Sequence, residues 1–366
     1  MHINFVELRN FRNYSYEKFL LSPKINILLG DNAQGKTNML ESIYFSCIGK
    51  SFKTKNEKEL IKNELNNARI VIDFEKNNGN NSIVIEFKDN QKYIMLNQIN
   101  ITKMSSMLGN LACVFFSPNE LKLVKEAPED RRRFLDIDIS QINKNYYFNL
   151  VKYNKILKER NKLLKSTDDL KLIDETLPIW DYQLASSASE IIIDRLEFIK
   201  KLNEYSSVEH SNLTDNKEKL IVEYSSCDDF NNKTKAEIEQ ILLNKLIDTR
   251  DKDLRLKYTN VGPHRDDLKI YLNELEVKSF GSQGQQRTSL LSIKLAELEI
   301  FKEVFNEYPL LLLDDVFSEL DENRKNRLFE RVKDVQTIIT TTKFDLLNSN
   351  IKANIIKVED GKILLK

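Results

Sequence analysis

The chain has 366 residues, 41% of them hydrophobic and 31% charged, with a formal net charge of +0. That length predicts about two domains, and the balance is that of a globular chain able to bury a real core. Zero net charge argues against a uniformly basic nucleic-acid binder but leaves room for a local basic face.

Cys47, Cys113 and Cys227 are scattered and odd in number, so neither a disulfide framework nor a zinc framework is implied, and a reducing cytosol is expected. His2, His210 and His264 form no metal cluster in the sequence. No apolar run approaches the ~20 residues of a membrane span, and no apolar leader opens the chain, so neither membrane insertion nor secretion is expected.

Residues 2–8 and 24–29 read as strands around a polar, aromatic stretch, residues 10–14, in which Arg12 is either a surface arginine or a ligand for a phosphate. Next comes Gly30-Asp31-Asn32-Ala33-Gln34-Gly35-Lys36-Thr37, the G-x-x-x-x-G-K-T phosphate loop called Walker A. An apolar run precedes it and a helical pattern over 38–45 follows, which is the context the motif needs. Gly30 and Gly35 let the backbone curl so that N–H groups point inward at phosphate oxygens, and the helix N-terminus adds to that field. Lys36 reaches the β- and γ-phosphates and the Thr37 hydroxyl can ligate Mg²⁺. Taken alone, the same string also describes a glycine turn carrying a surface lysine.

Lysines at 50, 53, 55, 58 and 62 outnumber Glu57 and Glu59, which suits either a solvated helix face or contact with phosphates. Residues 69–101 alternate in the β manner with turns near Gly79 and Asp89, predicting a meander. A buried strand is expected at 111–116, and Ser117-Pro118 reads as a stop followed by a helix start. Arg131, Arg132 and Arg133 point three ways around a helix, so at least one could face a phosphate; flanking charge pairs explain them equally well.

Residues 140–205 are strongly helical, with two antiparallel helices expected around a link at 166–177. Lys155, Lys158 and Lys162 share one face of the first, next to Lys152. Trp180, Leu184, Ala188, Ile191 and Ile192 form the apolar stripe of the second. A strand at 219–224 and a helix at 233–252 follow.

Asn260 to Asp267 reads as a tight polar turn before a strand at 268–272. Ser282-Gln283-Gly284-Gln285 opens a long helix whose seam is Leu291, Leu295, Leu298, Phe301 and Phe305. Its N-terminus is a second potential anion site. The run Leu310 to Leu313 ends in Asp314-Asp315, as a strand buried on both faces would, with carboxylates at the sheet edge where open α/β sheets place ligands. This is a Walker B pattern: Asp314 holds Mg²⁺ and Asp315 orients or deprotonates the attacking water. A further buried strand ends at Thr341-Thr342, and an Asp360-Gly361 turn closes a C-terminal hairpin.

The order Walker A, S-x-G-Q at a helix start, then an apolar strand ending in two aspartates resembles the head of ABC-type ATPases. Narrower strings resemble the RecF family of recombination-repair proteins over nearly the whole chain. These are Leu8-Arg9-Asn10-Phe11-Arg12-Asn13-Tyr14, Ser51-Phe52-Lys53-Thr54, Arg132-Arg133-Phe134-Leu135-Asp136, Gly262-Pro263-His264-Arg265-Asp266-Asp267 and Ser282 to Thr288.

The resemblance implies an α/β fold: a discontinuous ABC-ATPase head, 1–125 and 253–366, with a mainly helical lobe, 126–252, inserted. It also implies ATP and Mg²⁺ as cofactors. Residues 30–37 with Arg12 would bind nucleotide on one copy, and Ser282, Gly284 and Gln285 would meet it from a second, so a homodimer completes two sites. DNA, RecO, RecR and, indirectly, RecA are the partners implied. Lys50, Lys53, Lys55, Lys152 and Lys155 are the candidate DNA contacts. Two departures bear on hydrolysis: Asp315 stands where ABC heads usually carry Glu, and Thr341, Thr342 and Lys343 stand where a switch histidine is usual. The alternatives are the energising subunit of a membrane transporter and a scaffold without ATPase activity.

Overall fold

The computed structural model describes residues 1–166, 170–342 and 352–364. In chain order, β1 (His2–Phe11) and β2 (Tyr14–Leu20) form a hairpin, and β3 (Ile25–Leu29) leads into helix α1 (Lys36–Ile48). The meander β4 (Ala68–Lys76), β5 (Gly79–Lys88), β6 (Gln91–Leu96) and β7 (Ile99–Ile101) follows, then the short α2 (Met104–Met107) and β8 (Cys113–Phe116). A largely helical stretch runs through α3 (Lys122–Lys125), α4 (Pro128–Ile142), α5 (Lys144–Ser166), α6 (Leu170–Thr214), β9 (Leu220–Ser225), α7 (Lys235–Asp248) and α8 (Arg250–Leu256). Then come β10 (Asp267–Leu272), β11 (Leu275–Glu276), α9 (Val277–Phe280) and α10 (Gln283–Phe305). The chain ends with β12 (Leu310–Asp314), α11 (Glu322–Arg331), β13 (Thr337–Thr341), β14 (Ala353–Glu359) and β15 (Lys362–Leu364).

The chain divides into two compact units: Met1–Leu121 with Leu291–Lys366, and Lys122–Leu290. The first holds two six-stranded sheets. One, in the order β2-β1-β4-β5-β6-β7, is antiparallel throughout. The alternation that predicts it is visible in β4, where Ala68, Ile70, Ile72 and Phe74 are buried and the residues between them only half-buried. The other runs β15-β14-β3-β13-β12-β8, and all its pairs but β14–β15 are parallel. Leu310 to Leu313 are all buried, as a strand covered on both faces must be. Register sets the ends of three strands level: Leu29 pairs with Thr341 and Asp314 with Thr340.

The second unit packs its helices with a three-stranded antiparallel sheet, β11-β10-β9. This moves the expected return to the head from 253 to Leu291. The reason is pairing: β10 matches β9 residue for residue from Asp267 to Leu272, and Asp253 in α8 holds the fully buried Arg160 of α5 at 2.7 Å. Two other expectations change. The lysine-rich stretch 50–62 is mostly irregular, with a single 3₁₀ turn at Glu57–Leu60. The link between α5 and α6 is shorter than 166–177, because α6 runs straight through Pro178. Ile173 and Leu177 are buried against Leu164, and that burial offsets the ~3 kcal/mol that an interior proline costs a helix.

The arginine string and the Gly262–Asp267 turn meet inside this unit. Arg131 is bidentate to Asp267 at 2.6 and 2.9 Å, and Arg132 donates to the Asp266 carbonyl at 2.7 Å. Arg195, buried, bridges Asp136 and the Pro263 carbonyl at 2.8 and 2.7 Å. Of the three consecutive arginines only Arg133 is exposed. His264 sits 2.6 Å from the Tyr153 hydroxyl through Nδ1 and 3.1 Å from the Thr259 carbonyl through Nε2. A carbonyl only accepts, so Nε2 carries the proton, and in the neutral ring Nδ1 accepts from the Tyr153 hydroxyl. Burial, helped by Arg265 and Arg132, holds the His264 pKa down at about 4.

The unfolded chain therefore takes up a proton at His264 below pH 6.5 that the folded chain refuses until about 4. The stability linked to this ring is fully present above 6.5 and is lost as pH falls toward 4, by roughly 3 kcal/mol in all. Urea unfolding of the parent and of His264→Asn across pH 7.5 to 4.5 is expected to show the parent's stability falling more steeply than the variant's.

Candidate functional site at the phosphate loop

The loop between β3 and α1 is shaped by steric facts that single out its glycines. A Cβ at Gly30 would lie 2.2 Å from the Val358 carbonyl oxygen of β14. Gly35 has φ +117° and faces the Asn13 amide and the Tyr14 hydroxyl, at 2.7 and 2.8 Å from where a Cβ would be. No L-residue occupies that conformation without strain.

The curled loop presents its functional side chains to one cavity of about 440 Å³, lined by residues 32–38 together with Lys53, Asn119, Asp314, Asp315 and Thr342. Lys36 is 7% exposed, and its ammonium donates to the carbonyls of Gly30 and Asp31, both at 2.6 Å. Burial lowers its pKa, and Asp315, Asp31 and Asp314 pull the other way. The Thr37 hydroxyl donates to Asp314 Oδ1 at 2.7 Å, joining Walker A to Walker B across 277 residues of sequence. The Thr340 hydroxyl at the end of β13 donates to the same oxygen at 2.8 Å. Asp315 adopts φ +54°, and its N–H is held by Thr340 Oγ1 at 3.0 Å.

A hydroxyl and a carboxylate in contact, beside an ammonium and a loop that only glycine permits, are the donor set a polyphosphate with a hard divalent cation requires. The residues fit ATP and Mg²⁺: Thr37 and Asp314 would hold the metal, Lys36 and the N–H groups of the loop the phosphates.

Arg12 does not line this cavity. Its guanidinium is bidentate to Glu41 at 2.9 and 2.6 Å and donates to the Glu59 carbonyl at 2.7 Å. Glu41 lies in α1 with 0% exposure, and an unpaired carboxylate there would be costly, so the arginine is committed to it. Lys53, one of the candidate DNA contacts, also lines the cavity, with Nζ 2.8 Å from Asn38 Oδ1. Its crowded surroundings lower its pKa, although the side chain stays exposed. Lys50 and Lys55 are exposed in the first unit, Lys152 and Lys155 on α5 in the second.

Ser282 and Gln285 cap α10 reciprocally: the Ser282 N–H donates to Gln285 Oε1 at 2.9 Å and the Gln285 N–H to Ser282 Oγ at 3.2 Å. Ser282 and Gly284 are exposed, and Gln285 is tied to Glu218 at 2.8 Å. All three belong to the second unit, whereas every cavity residue belongs to the first. Thr341 is buried at the end of β13 and Thr342 reaches the cavity; Lys343 lies outside the described residues.

Several contacts to the loop carry no motif of their own. The Tyr14 hydroxyl donates to the Gly35 carbonyl at 2.9 Å, and Asn13 Nδ2 to the Gln34 carbonyl at 3.0 Å. From the C-terminal hairpin, the Gly361 N–H donates to the same carbonyl at 3.0 Å, and the Asp360 N–H to Gln34 Oε1 at 2.6 Å.

A parallel sheet whose level strand ends carry a Walker A and a Walker B is that of a P-loop nucleotide-binding domain, and the second, antiparallel sheet with the S-x-G-Q helix start makes it an ABC-type ATPase head. A family model described as the RecF/RecN/SMC N terminal domain matches residues 2–363. The DNA replication and repair protein RecF of Clostridium tetani is 44% identical over 367 residues, covering 100% of both chains. That of Acetivibrio thermocellus is 42% identical over 366 residues, covering 99% of each. A solved structure, "Structure of the recombination mediator protein RecF-ATPrS in RecFOR pathway", superposes with a TM-score of 0.92 at 34% identity, covering 99% of this chain and 97% of that one. An Smc head domain from Pyrococcus furiosus, at 16% identity and a TM-score of 0.56, shares the fold alone. The chain belongs to the RecF family of DNA replication and repair proteins. These relatives give the transporter alternative no support, and no helix among the described residues is long and apolar enough to cross a membrane.

Gly35→Ala is expected to cost about 1–3 kcal/mol of stability, from forcing a side chain into φ +117° against the Asn13 amide. Chemical denaturation of the variant checks this, and an unchanged midpoint would show the loop free to rearrange.

Proposed function

We propose that this chain is an ATP-dependent DNA-binding protein of recombinational repair and replication restart. ATP with Mg²⁺ joins two copies, the pair grips duplex DNA near single-strand gaps and helps load the recombinase, and slow hydrolysis releases it. The observation that carries the reading is the 2.7 Å contact between Thr37 and Asp314 beside a cavity holding Lys36. It supports a nucleotide–metal site already assembled in a single chain.

In this reading Asp31, Asn32, Ala33, Gln34 and Gly35 supply the walls and N–H groups of the phosphate cradle. Lys53 adds a second cation on the cavity. Asp314 and Thr37 hold the metal, and Asp315 positions the attacking water. The exposed Ser282 and Gly284, with Gln285 fixing their turn, approach the nucleotide of the partner copy, so hydrolysis requires a dimer. Three features support this division: the turn is exposed, it opens a 23-residue helix, and it stands outside the cavity lining. An aspartate at 315, one methylene shorter than the usual glutamate, supports weak turnover, and the turnover is proposed to depend on DNA.

For DNA, the exposed face of α5 is the best-supported surface: Lys152, Lys155, Lys158 and Lys162 are all exposed at helical spacing. Lys50 and Lys55 are secondary candidates. RecO and RecR are proposed as partners, with RecA downstream, because a solved relative is described within the RecFOR pathway. A cytoplasmic site of action follows from that role.

Static light scattering with and without ATP tests the dimer. The parent is expected to double in mass with ATP, and Lys36→Arg is expected to remain a monomer. A mass unaffected by both the nucleotide and the substitution would end the gating idea. Binding of gapped duplex is expected to weaken with salt, at a slope of roughly −0.9 in log–log form for each phosphate neutralised. A flat salt dependence would rule out backbone contact as the grip.

A further inference from the structure

The string at residues 8–14 has no part in the chemistry proposed above, yet Asn13 reaches the loop from behind. Its side chain stands in a chain of hydrogen bonds with chemically unambiguous ends. At one end is the Gln34 carbonyl, which only accepts; it receives Asn13 Nδ2 at 3.0 Å. At the other is the Lys53 ammonium, which only donates; it gives to Asn38 Oδ1 at 2.8 Å. Between them, Asn38 Nδ2 donates to Asn13 Oδ1 at 2.8 Å. Each amide is therefore fixed in orientation by the group beyond it, since reversing either would set donor against donor or acceptor against acceptor. The missing Cβ of Gly35 makes room for this, because the Asn13 amide passes at 2.7 and 3.0 Å from where it would stand.

We infer that Asn13 is a positioning residue: through Asn38 it aims the Lys53 ammonium at the phosphate cavity, and through the Gln34 carbonyl it holds the loop that cavity is built on. Asn13 itself is absent from the cavity lining, whereas Asn38 and Lys53 belong to it. The shape of the segment carrying Lys53 is fixed separately. Ser51 Oγ accepts from the N–H groups of Lys53 and Thr54 at 2.9 and 3.0 Å and is itself anchored on the buried Glu41 that Arg12 also holds. The backbone of the loop is set by Ser51, and the direction of the lysine's tip by the two amides.

The inference rests on the ATP-binding reading of this cavity and extends it. Asn13→Ala removes both the donor to the Gln34 carbonyl and the acceptor of Asn38 Nδ2, so Asn38 is free to turn and the Lys53 ammonium loses its guide, while the Gly361 N–H still serves Gln34. A charge-assisted hydrogen bond of the kind that ends at Lys53 is worth enough to change affinity by roughly tenfold or more. In the full-length chain, ATP affinity by fluorescent-analogue titration is expected to fall at least tenfold in Asn13→Ala. In a Lys53→Ala background the same substitution is expected to cost no more than about threefold, the remainder acting through Gln34, because the coupled partner is gone. An equal loss in both backgrounds, or a loss below threefold in the first, overturns the relay.

Should Asn13→Ala fail to fold, Asn38→Ala carries the same test. It removes the acceptor of Lys53 and the donor to Asn13 and adds no charge to the cavity, so affinity falls at least tenfold with Lys53 present. Without Lys53 the loss shrinks to about threefold or less; an equal loss in both backgrounds overturns the relay. A parent chain that binds no ATP would instead overturn the nucleotide reading itself.

Discussion

Three oxygens brought together at the end of a parallel sheet organise this molecule. Asp314 Oδ1 accepts from Thr37 and from Thr340, at 2.7 and 2.8 Å, and the three residues come from three different segments of the sequence. They meet because β13 lies between β3 and β12, in a register that sets Thr340 against Asp314 and Thr341 against Leu29. Parallel strands deliver their following loops to one edge, and that edge is where the phosphate loop and the Walker B carboxylate become neighbours. Once this pairing is made, the length of chain between Walker A and Walker B ceases to matter. A whole second unit with its own sheet and helices is carried between them without disturbing the junction.

The loop itself is held from both ends of the chain. The N-terminal hairpin supplies Asn13 and Tyr14, and the C-terminal hairpin supplies the N–H groups of Asp360 and Gly361. The Gln34 carbonyl accepts from two of these four donors, and its side chain accepts from a third. A loop whose outward groups are already satisfied keeps its inward N–H groups fixed, so little ordering is needed when an anion arrives. The close approach of Gly30 to Val358 belongs to the same arrangement, since any side chain there would separate the loop from β14.

What could be read from the sequence followed the range of the forces involved. Walker A, Walker B and the seam of α10 depend on local spacing and on uninterrupted apolar runs, so their strings sufficed to locate them. The meander was legible for the same reason, its alternation being a property of each strand alone. Arg12 was not, because its partner Glu41 lies 29 residues away and looks, in sequence, like one more polar position on a helix. Lys53 was grouped with Lys50 and Lys55 by composition, yet a serine two residues earlier turns its backbone and an asparagine in α1 draws it to the cavity. The end of the second unit was placed too early because β10 reads as a strand that any sheet might take, and only its pairing with β9 assigns it. The link read at 166–177 is too long, because burial of Leu177 and Ile173 keeps α6 helical from Leu170 on.

The placement of Asp315 shows where this architecture spends its strain. A non-glycine residue at φ +54° is held there by Thr340, whose carbonyl and hydroxyl both receive the Asp315 N–H, and that same hydroxyl donates to Asp314. One threonine thus fixes the Asp314 carboxylate and the backbone of its neighbour together. With one methylene fewer than a glutamate, the carboxyl at 315 is placed by this backbone geometry more than by side-chain rotation. The glycine loop with its braces and the turn at 315 are thus separate parts of one edge, each held by its own hydrogen bonds.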